Sequence, residues 1–237
     1  MFEDISSEKR MKSTMSRYMD PVIAAQMMEG DGQEFLGGVS AEATVMFTDV
    51  RGFTTITEEY GAQGTVSFLN EYFSLMVDCI SKEGGMLDKF IGDAIMACFG
   101  LPIPHDDDPD RAMRASIAMI QTLWAWNQTR LTKGLKTVDM GIGLNTDIVV
   151  SGNIGSPKRM DYTLIGDGVN LAARLESACK SYAARILVSD ATVQQLKGTY
   201  RMRAVDLVVV KGKTQPVKIN EVLDYHDQTS FPNLMDV

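Results

Sequence analysis

Two apolar runs, each bounded by an aspartate, constrain this chain more than any other feature. Ala43-Thr-Val-Met-Phe-Thr48 runs into Asp49, and Ala94-Ile-Met-Ala-Cys-Phe99 follows directly on Gly92-Asp93. Short apolar runs of this kind, bounded by turn residues, predict buried strands. A carboxylate at the end of such a strand is expensive to bury unless something positive neutralises it. If the two strands are neighbours, both carboxylates reach one edge of one sheet. There they would make a seat for hard divalent cations, with the Val50 peptide carbonyl as a further oxygen ligand. Singly, each aspartate is an ordinary strand-end or hairpin residue; the pair points to metal-assisted chemistry.

The rest of the chain supplies elements to surround such a sheet. Met86–Phe90 and Ala94–Phe99 read as strands joined by a tight turn at Gly92-Asp93. A helix, or a pair of helices, is predicted between Gly52 and about Lys82, with Phe68, Leu69, Tyr72, Phe73, Met76 and Ile80 on a helical period. A second is expected over Asp110–Thr129, behind an acidic cap region at Asp106-Asp-Asp108 and Pro109. Val138–Leu144 and Ile148–Ile154 predict a hairpin, Tyr162–Ile165 a short strand and Gly168–Lys180 a helix. Ile186–Val188, Val205–Val210 and Val217–Val222 read as further strands, with a short helix over Asp190–Leu196. Strands mixed with long helices give an α/β (α+β) sandwich with one face of the sheet covered by helices.

The first thirty residues differ from this body. Met11, Met15, Tyr18, Val22 and Ala25 make an apolar stripe suited to pairing with another helix, which Pro21 would distort. Asp31-Gly-Gln and Gly37-Gly38 then mark a linker. The chain therefore divides into a coupling helix and linker over 1–40, a catalytic body over 41–224 and a flexible tail over 225–237.

Charge and composition exclude several functions. A formal charge of −8 and a sequence pI near 4.8 argue against general nucleic-acid binding, which needs a basic face. Three cysteines and two histidines, at no metal-ligand spacing, leave no candidate catalytic zinc and suggest a reducing compartment. No apolar run is long enough to span a membrane, and residues 1–12 lack an apolar signal core, so a cytoplasmic location is expected.

A second constellation bears on anions. Asn170 and Arg174 stand one helical turn apart, just behind Gly166-Asp-Gly168. An arginine there can grip phosphate oxygens, although a solvated Arg and an Asn near a helix start are equally ordinary. Lys89, between Asp88 and Phe90, either offsets the carboxylate charge or donates to a base. Lys211, in Val210-Lys-Gly-Lys213, either reaches phosphates or sits in a surface turn. Gly141-Ile-Gly143 and Gly166-Asp-Gly168 are not dinucleotide fingerprints, and no phosphate-loop Gly-Lys-Ser/Thr occurs.

At these residues the chain resembles the class III nucleotidyl cyclase catalytic domain, the adenylyl and guanylyl cyclase family. The markers are Phe47-Thr-Asp-Val-Arg-Gly-Phe-Thr54, Lys89-Phe-Ile-Gly-Asp-Ala-Ile-Met96 and Asp161-Tyr-Thr-Leu-Ile-Gly-Asp-Gly-Val-Asn-Leu-Ala-Ala-Arg174, within a similarity covering about residues 40–223. The resemblance implies a ferredoxin-like βαββαβ core with additional C-terminal strands and helices, working as a head-to-tail homodimer with shared active sites. By the same resemblance Asp49 and Asp93 match the aspartates that hold two Mg2+ (or Mn2+) ions per site. Lys89 and Thr163 match an adenine-recognising pair, Asn170 and Arg174 the ribose-orienting and transition-state-stabilising residues, and Lys211 a triphosphate-binding lysine. Guanylyl members typically carry glutamate where Lys89 stands, so the implied activity is conversion of ATP to 3′,5′-cyclic AMP and pyrophosphate. A guanylyl cyclase and a catalytically silent nucleotide-binding module remain the alternatives. The segment before residue 40 resembles the helix that couples such domains to an upstream sensory domain.

Overall fold

Strand β1 (Gly37–Val50) is the axis on which the molecule is built, because two longer-range strands pair with it on either side. The computed structural model describes residues 10, 14–15, 21, 23–25, 37–156, 158–208 and 216–225. On one side β1 pairs antiparallel with β3 (Ala94–Phe99), which forms a hairpin with β2 (Met86–Ile91). On the other it pairs antiparallel with β4 (Met140–Ser156) along its whole length, Gly37 opposite Asn153 and Val50 opposite Met140. Helix α1 (Phe53–Lys82) links β1 to β2, and α2 (Asp108–Thr132) links β3 to β4. The chain order βαββαβ with spatial order β2-β3-β1-β4 is the ferredoxin-like arrangement.

The sheet then extends as β4-β6-β8-β7, through β6 (Ile186–Ser189), β8 (Val217–Tyr225) and β7 (Tyr200–Val208), while β5 (Arg159–Ile165) pairs with the far half of β4. Helices α3 (Asp167–Ala178) and α4 (Asp190–Val193) complete the elements. Strand alternation assigns the two faces. Met46, Val50, Ile95, Phe99, Met140 and Ile142 turn towards α1 and α2 in the larger core. Ala43, Val45, Met96 and Cys98 turn the other way, towards Val169 and Ala172 of α3.

Several boundaries differ from expectation for identifiable reasons. The predicted hairpin over Val138–Ile154 is one continuous strand, β4. Its apparent turn, Asn145-Thr-Asp147, is polar for other reasons. Asn145 is buried and donates to the Gly168 carbonyl at 3.0 Å, while Thr146 is bonded to Thr192 and Thr44. Helix α1 is, as expected, a pair of helical segments, which meet at a kink at Gly61, whose φ of 64° breaks the helical geometry. Strand β1 begins at Gly37, inside the predicted linker. Of the N-terminal stripe, Met11, Tyr18 and Val22 lie outside the described residues. Ile23 and Ala24 are buried, and Ile23 belongs to the same apolar cluster as Ala43, Val45 and Met86. Tail residues 226–237 also lie outside the described set.

The glycines of β4 have a packing role. A Cβ on Gly143 would lie 2.3 Å from both the Ala172 carbonyl oxygen and the Glu176 nitrogen, so only glycine lets α3 lie this close to the sheet. Gly143→Ala is expected to destabilise the protein by about 1–3 kcal/mol, the usual penalty for overpacking a rigid backbone contact. An unchanged urea midpoint would show that α3 is not held at this distance.

Candidate active site

The register of the central strands brings the two aspartates together. Thr48 pairs with Ile95, so the Gly92-Asp93 turn that precedes β3 falls beside Asp49 and Val50 at the end of β1. The turn needs glycine at Gly92, where φ is 65°. The Val50 N–H donates to Asp93 Oδ2 at 3.3 Å, while the Val50 side chain is buried in the larger core. By alternation Asp49 shares the face of Val45 and Phe47, the face on which α3 packs.

This pair is electrostatically strained. The Asp49 carboxyl is pushed up to about 6, first by burial, then by the charge and hydrogen bond of Asp93. A third carboxyl, Glu176 of α3, is pushed up to about 7 by burial and then by Asp49. Arg51, which also pairs with Asp139 at 3.6 Å, draws Glu176 the other way. A half-buried carboxylate held beside a second one, as Asp49 is beside Asp93, is what a divalent cation relieves, so the pair suits such an ion. Among the described residues no cluster of three or more His, Cys, Asp or Glu side chains forms a ready-made cage. Mg2+ typically keeps few protein ligands and takes the rest from water and substrate phosphates.

The second group of residues gathers around a β-bulge. In the β2–β3 hairpin Leu87 pairs with Ala97 and Lys89 with Met96, leaving Asp88 as the extra residue. A bulge breaks alternation and turns two consecutive side chains to one side. Asp88 and Lys89 accordingly both line a cavity of about 310 Å³, with Ile23, Arg159 and Asp161 on its walls. Thr163, on β5, donates its hydroxyl proton to Asp88 Oδ2 at 2.7 Å. Burial raises the Asp88 carboxyl, against the opposing pull of Thr163 and Lys89.

Asn170 and Arg174 are both exposed on α3. Residues on a helix are spaced 100° apart, which sets Glu176 about 120° round the helix from Asn170 and about 160° from Arg174. Glu176 faces the sheet, its Oε1 lying 2.8 Å from where a Cβ on Gly141 would be. Within one chain, then, α3 turns one face to the carboxylates and a different face, carrying Asn170 and Arg174, outwards. Lys211 lies outside the described residues.

Two participants were not anticipated from sequence. In the sequence Asp88 figures only as a neighbour of Lys89; the extra residue between Leu87 and Lys89 is invisible without the register. In the sequence no motif singles out Glu176. Its signal is Gly141 and Gly143, whose missing side chains let α3 approach.

Comparison with known proteins gives this geometry a family. A profile for the adenylate and guanylate cyclase catalytic domain matches residues 39–224. The terminal-differentiation-specific adenylate cyclase of Dictyostelium discoideum is 36% identical over 224 residues, 90% of this chain and 10% of that protein. Among solved structures, the adenylyl cyclase CyaB from P. aeruginosa is 36% identical with a TM-score of 0.74, covering 81% of this chain and 98% of that one. The guanylyl cyclase Cya2 is also 36% identical, with a TM-score of 0.72 over 83% of this chain and 98% of that one. The chain spans 10% to 39% of the length of the first four curated relatives it matches. Among the described residues no helix is long and apolar enough to cross a membrane. With a matching profile over most of its length and a ferredoxin-like sheet in common, this chain belongs to the class III nucleotidyl cyclases, the adenylate and guanylate cyclase catalytic-domain family.

Proposed function

We propose that the chain is an adenylyl cyclase, converting ATP to 3′,5′-cyclic AMP and pyrophosphate at sites shared between two copies. Overall similarity does not choose the base, since an adenylyl and a guanylyl cyclase are equally identical to it. The observation that carries the choice of ATP is Lys89, a cation lining the cavity beside Asp88 and its partner Thr163. An ammonium donates to the unprotonated N1 of adenine, whereas guanine presents an N–H there.

Asp49, Asp93 and the Val50 carbonyl would hold two divalent ions, Mg2+ or Mn2+, which when bound polarise the ribose 3′-oxygen and neutralise the triphosphate. Asn170 orients the ribose. Arg174 counters charge on the phosphoryl group as it transfers, an effect that is strongest where water is excluded. Lys211 steadies the phosphate tail. The outward face of α3 supports sharing: Asn170 and Arg174 of one copy are turned away from their own carboxylates and towards a partner. The N-terminal segment, with Ile23 packed on the catalytic body, is the route by which an upstream sensory domain would act.

The test is turnover of ATP and GTP by purified protein with Mg2+ or Mn2+, across a range of protein concentration. Cyclic AMP should form at least about tenfold faster than cyclic GMP, one hydrogen bond's discrimination. Specific activity should rise with concentration as dimers form. Faster GTP turnover would reverse the base assignment. Tight ATP binding with no cyclic product at saturating Mn2+ would make the chain a silent regulatory module.

A further inference from the structure

We propose that Asp88 is a specificity-determining positioning residue: by holding the Thr163 hydroxyl proton, it presents Thr163 to the base as a hydrogen-bond acceptor only. This rests on the adenylyl reading above and deepens it. Thr163 and Asp88 lie 75 positions apart and meet at 2.7 Å across the gap between β5 and β2. A threonine hydroxyl has one proton and two lone pairs, and an ionised carboxylate can only accept. Once the proton is committed to Asp88, the remaining capacity of Thr163 Oγ1 is to accept.

That polarity discriminates between purines at position 6. Adenine carries an amino group there, a donor; guanine and hypoxanthine carry an oxo group, an acceptor. A free threonine rotates its hydroxyl to suit either. One whose proton is held elsewhere accepts from the amino group and leaves the oxo group facing lone pairs, an unpaired contact that a largely buried site penalises. Thr163 is 9% exposed, so water is poorly placed to relieve the mismatch.

The bulge is what makes the arrangement available. Without the extra residue, Asp88 and Lys89 would point to opposite faces of β2. With it, both reach the same cavity, Lys89 as the donor and Asp88 as the fixing partner of the acceptor. Burial raises the Asp88 carboxyl, while the Thr163 hydroxyl, Lys89 and the Leu164 amide oppose it by stabilising the ionised form, the form that cannot donate back to Thr163. Asp88 therefore acts through Thr163.

Comparison of ATP with ITP, which differ at position 6 and at the adjoining N1 but not at position 2, isolates this effect from that of the guanine 2-amino group. The 237-residue chain and its Asp88→Leu, Asp88→Ala, Thr163→Val and Asp88→Leu/Thr163→Val variants are assayed for kcat/KM with each nucleotide. Competition binding gives the same ratio where turnover is low. Leucine fills the volume of the carboxylate, so it reports even if the alanine variant fails to fold. The ATP:ITP ratio should fall about tenfold in Asp88→Leu, largely through faster ITP turnover. It should fall comparably in Thr163→Val, with no further fall in the double variant, because the two act through one hydroxyl. Equal loss of activity on both nucleotides with the ratio unchanged, or additive effects in the double variant, would reduce Asp88 to a structural residue. A wild-type protein that prefers GTP to ATP would instead overturn the adenylyl reading itself, which separates the two failures.

Discussion

Asp49→Asn is expected to remove turnover by a factor on the order of 10³ while leaving the protein as stable as before, or more so. The two effects have one origin. In the folded chain the ionised Asp49 is disfavoured by burial and by Asp93, so its carboxyl titrates near 6 in place of the ordinary 3.8. A carboxyl raised on folding binds an extra proton in the folded state between those two values. Its ionisation therefore costs stability, from nothing below about pH 4 to the full amount above about pH 6. Asparagine removes that cost together with the ligand. The melting temperature of metal-free Asp49→Asn should match or exceed wild type at pH 8, with the gain shrinking by pH 5. Asp93→Asn should lose activity similarly, while its amide oxygen can still accept from the Val50 N–H. Near-normal turnover in either variant would remove that aspartate from the proposed ion site. A sharp fall in the stability of Asp49→Asn would mean that the carboxylate serves the fold.

The sequence makes some parts of this molecule legible and hides others. Features that obey strand or helix periodicity could be read directly. The buried runs ending in Asp49 and beginning after Asp93, and the i,i+4 relation of Asn170 and Arg174, are local patterns, and the structure places these residues on strand ends and on one helix face. What escaped depends on register between distant segments. The bulge that turns Asp88 beside Lys89 is a mismatch between two strands, which neither strand records alone. Asn145-Thr-Asp147 looked like a turn because polar residues in an apolar run normally mean one. Here Asn145 and Thr146 are buried and paired with Gly168 of α3, Thr192 of α4 and Thr44 of β1, contacts made only between distant segments. Glu176 is the same case, since its environment is created by Gly141 and Gly143 on a strand more than thirty positions earlier.

The same geometry bears on the proposed assembly. The face of α3 that carries Asn170 and Arg174 is turned well over 90° from the one that carries Glu176 towards Asp49, so one chain does not aim both groups at a common point. A two-fold dimer resolves this by letting each copy supply what the other's site lacks. Arg174→Ala alone should cost about 10³ in kcat, the scale of an arginine that stabilises a transferring phosphoryl group. Mixed with Asp93→Asn, it should regain activity that neither variant has. In a heterodimer one site inherits both defects and the other inherits none. Random pairing of equal amounts makes half of the dimers mixed, so about a quarter of wild-type specific activity is expected.

The decisive measurement is therefore the activity of Asp93→Asn and Arg174→Ala protomers co-purified through two different affinity tags, so that only mixed dimers are assayed. Recovery to about half of the wild-type rate per dimer is the expected result, from one intact site in two. Mixed dimers as inactive as their parents would mean that the carboxylates and the arginine serve the same chain, and the shared site would have to be abandoned.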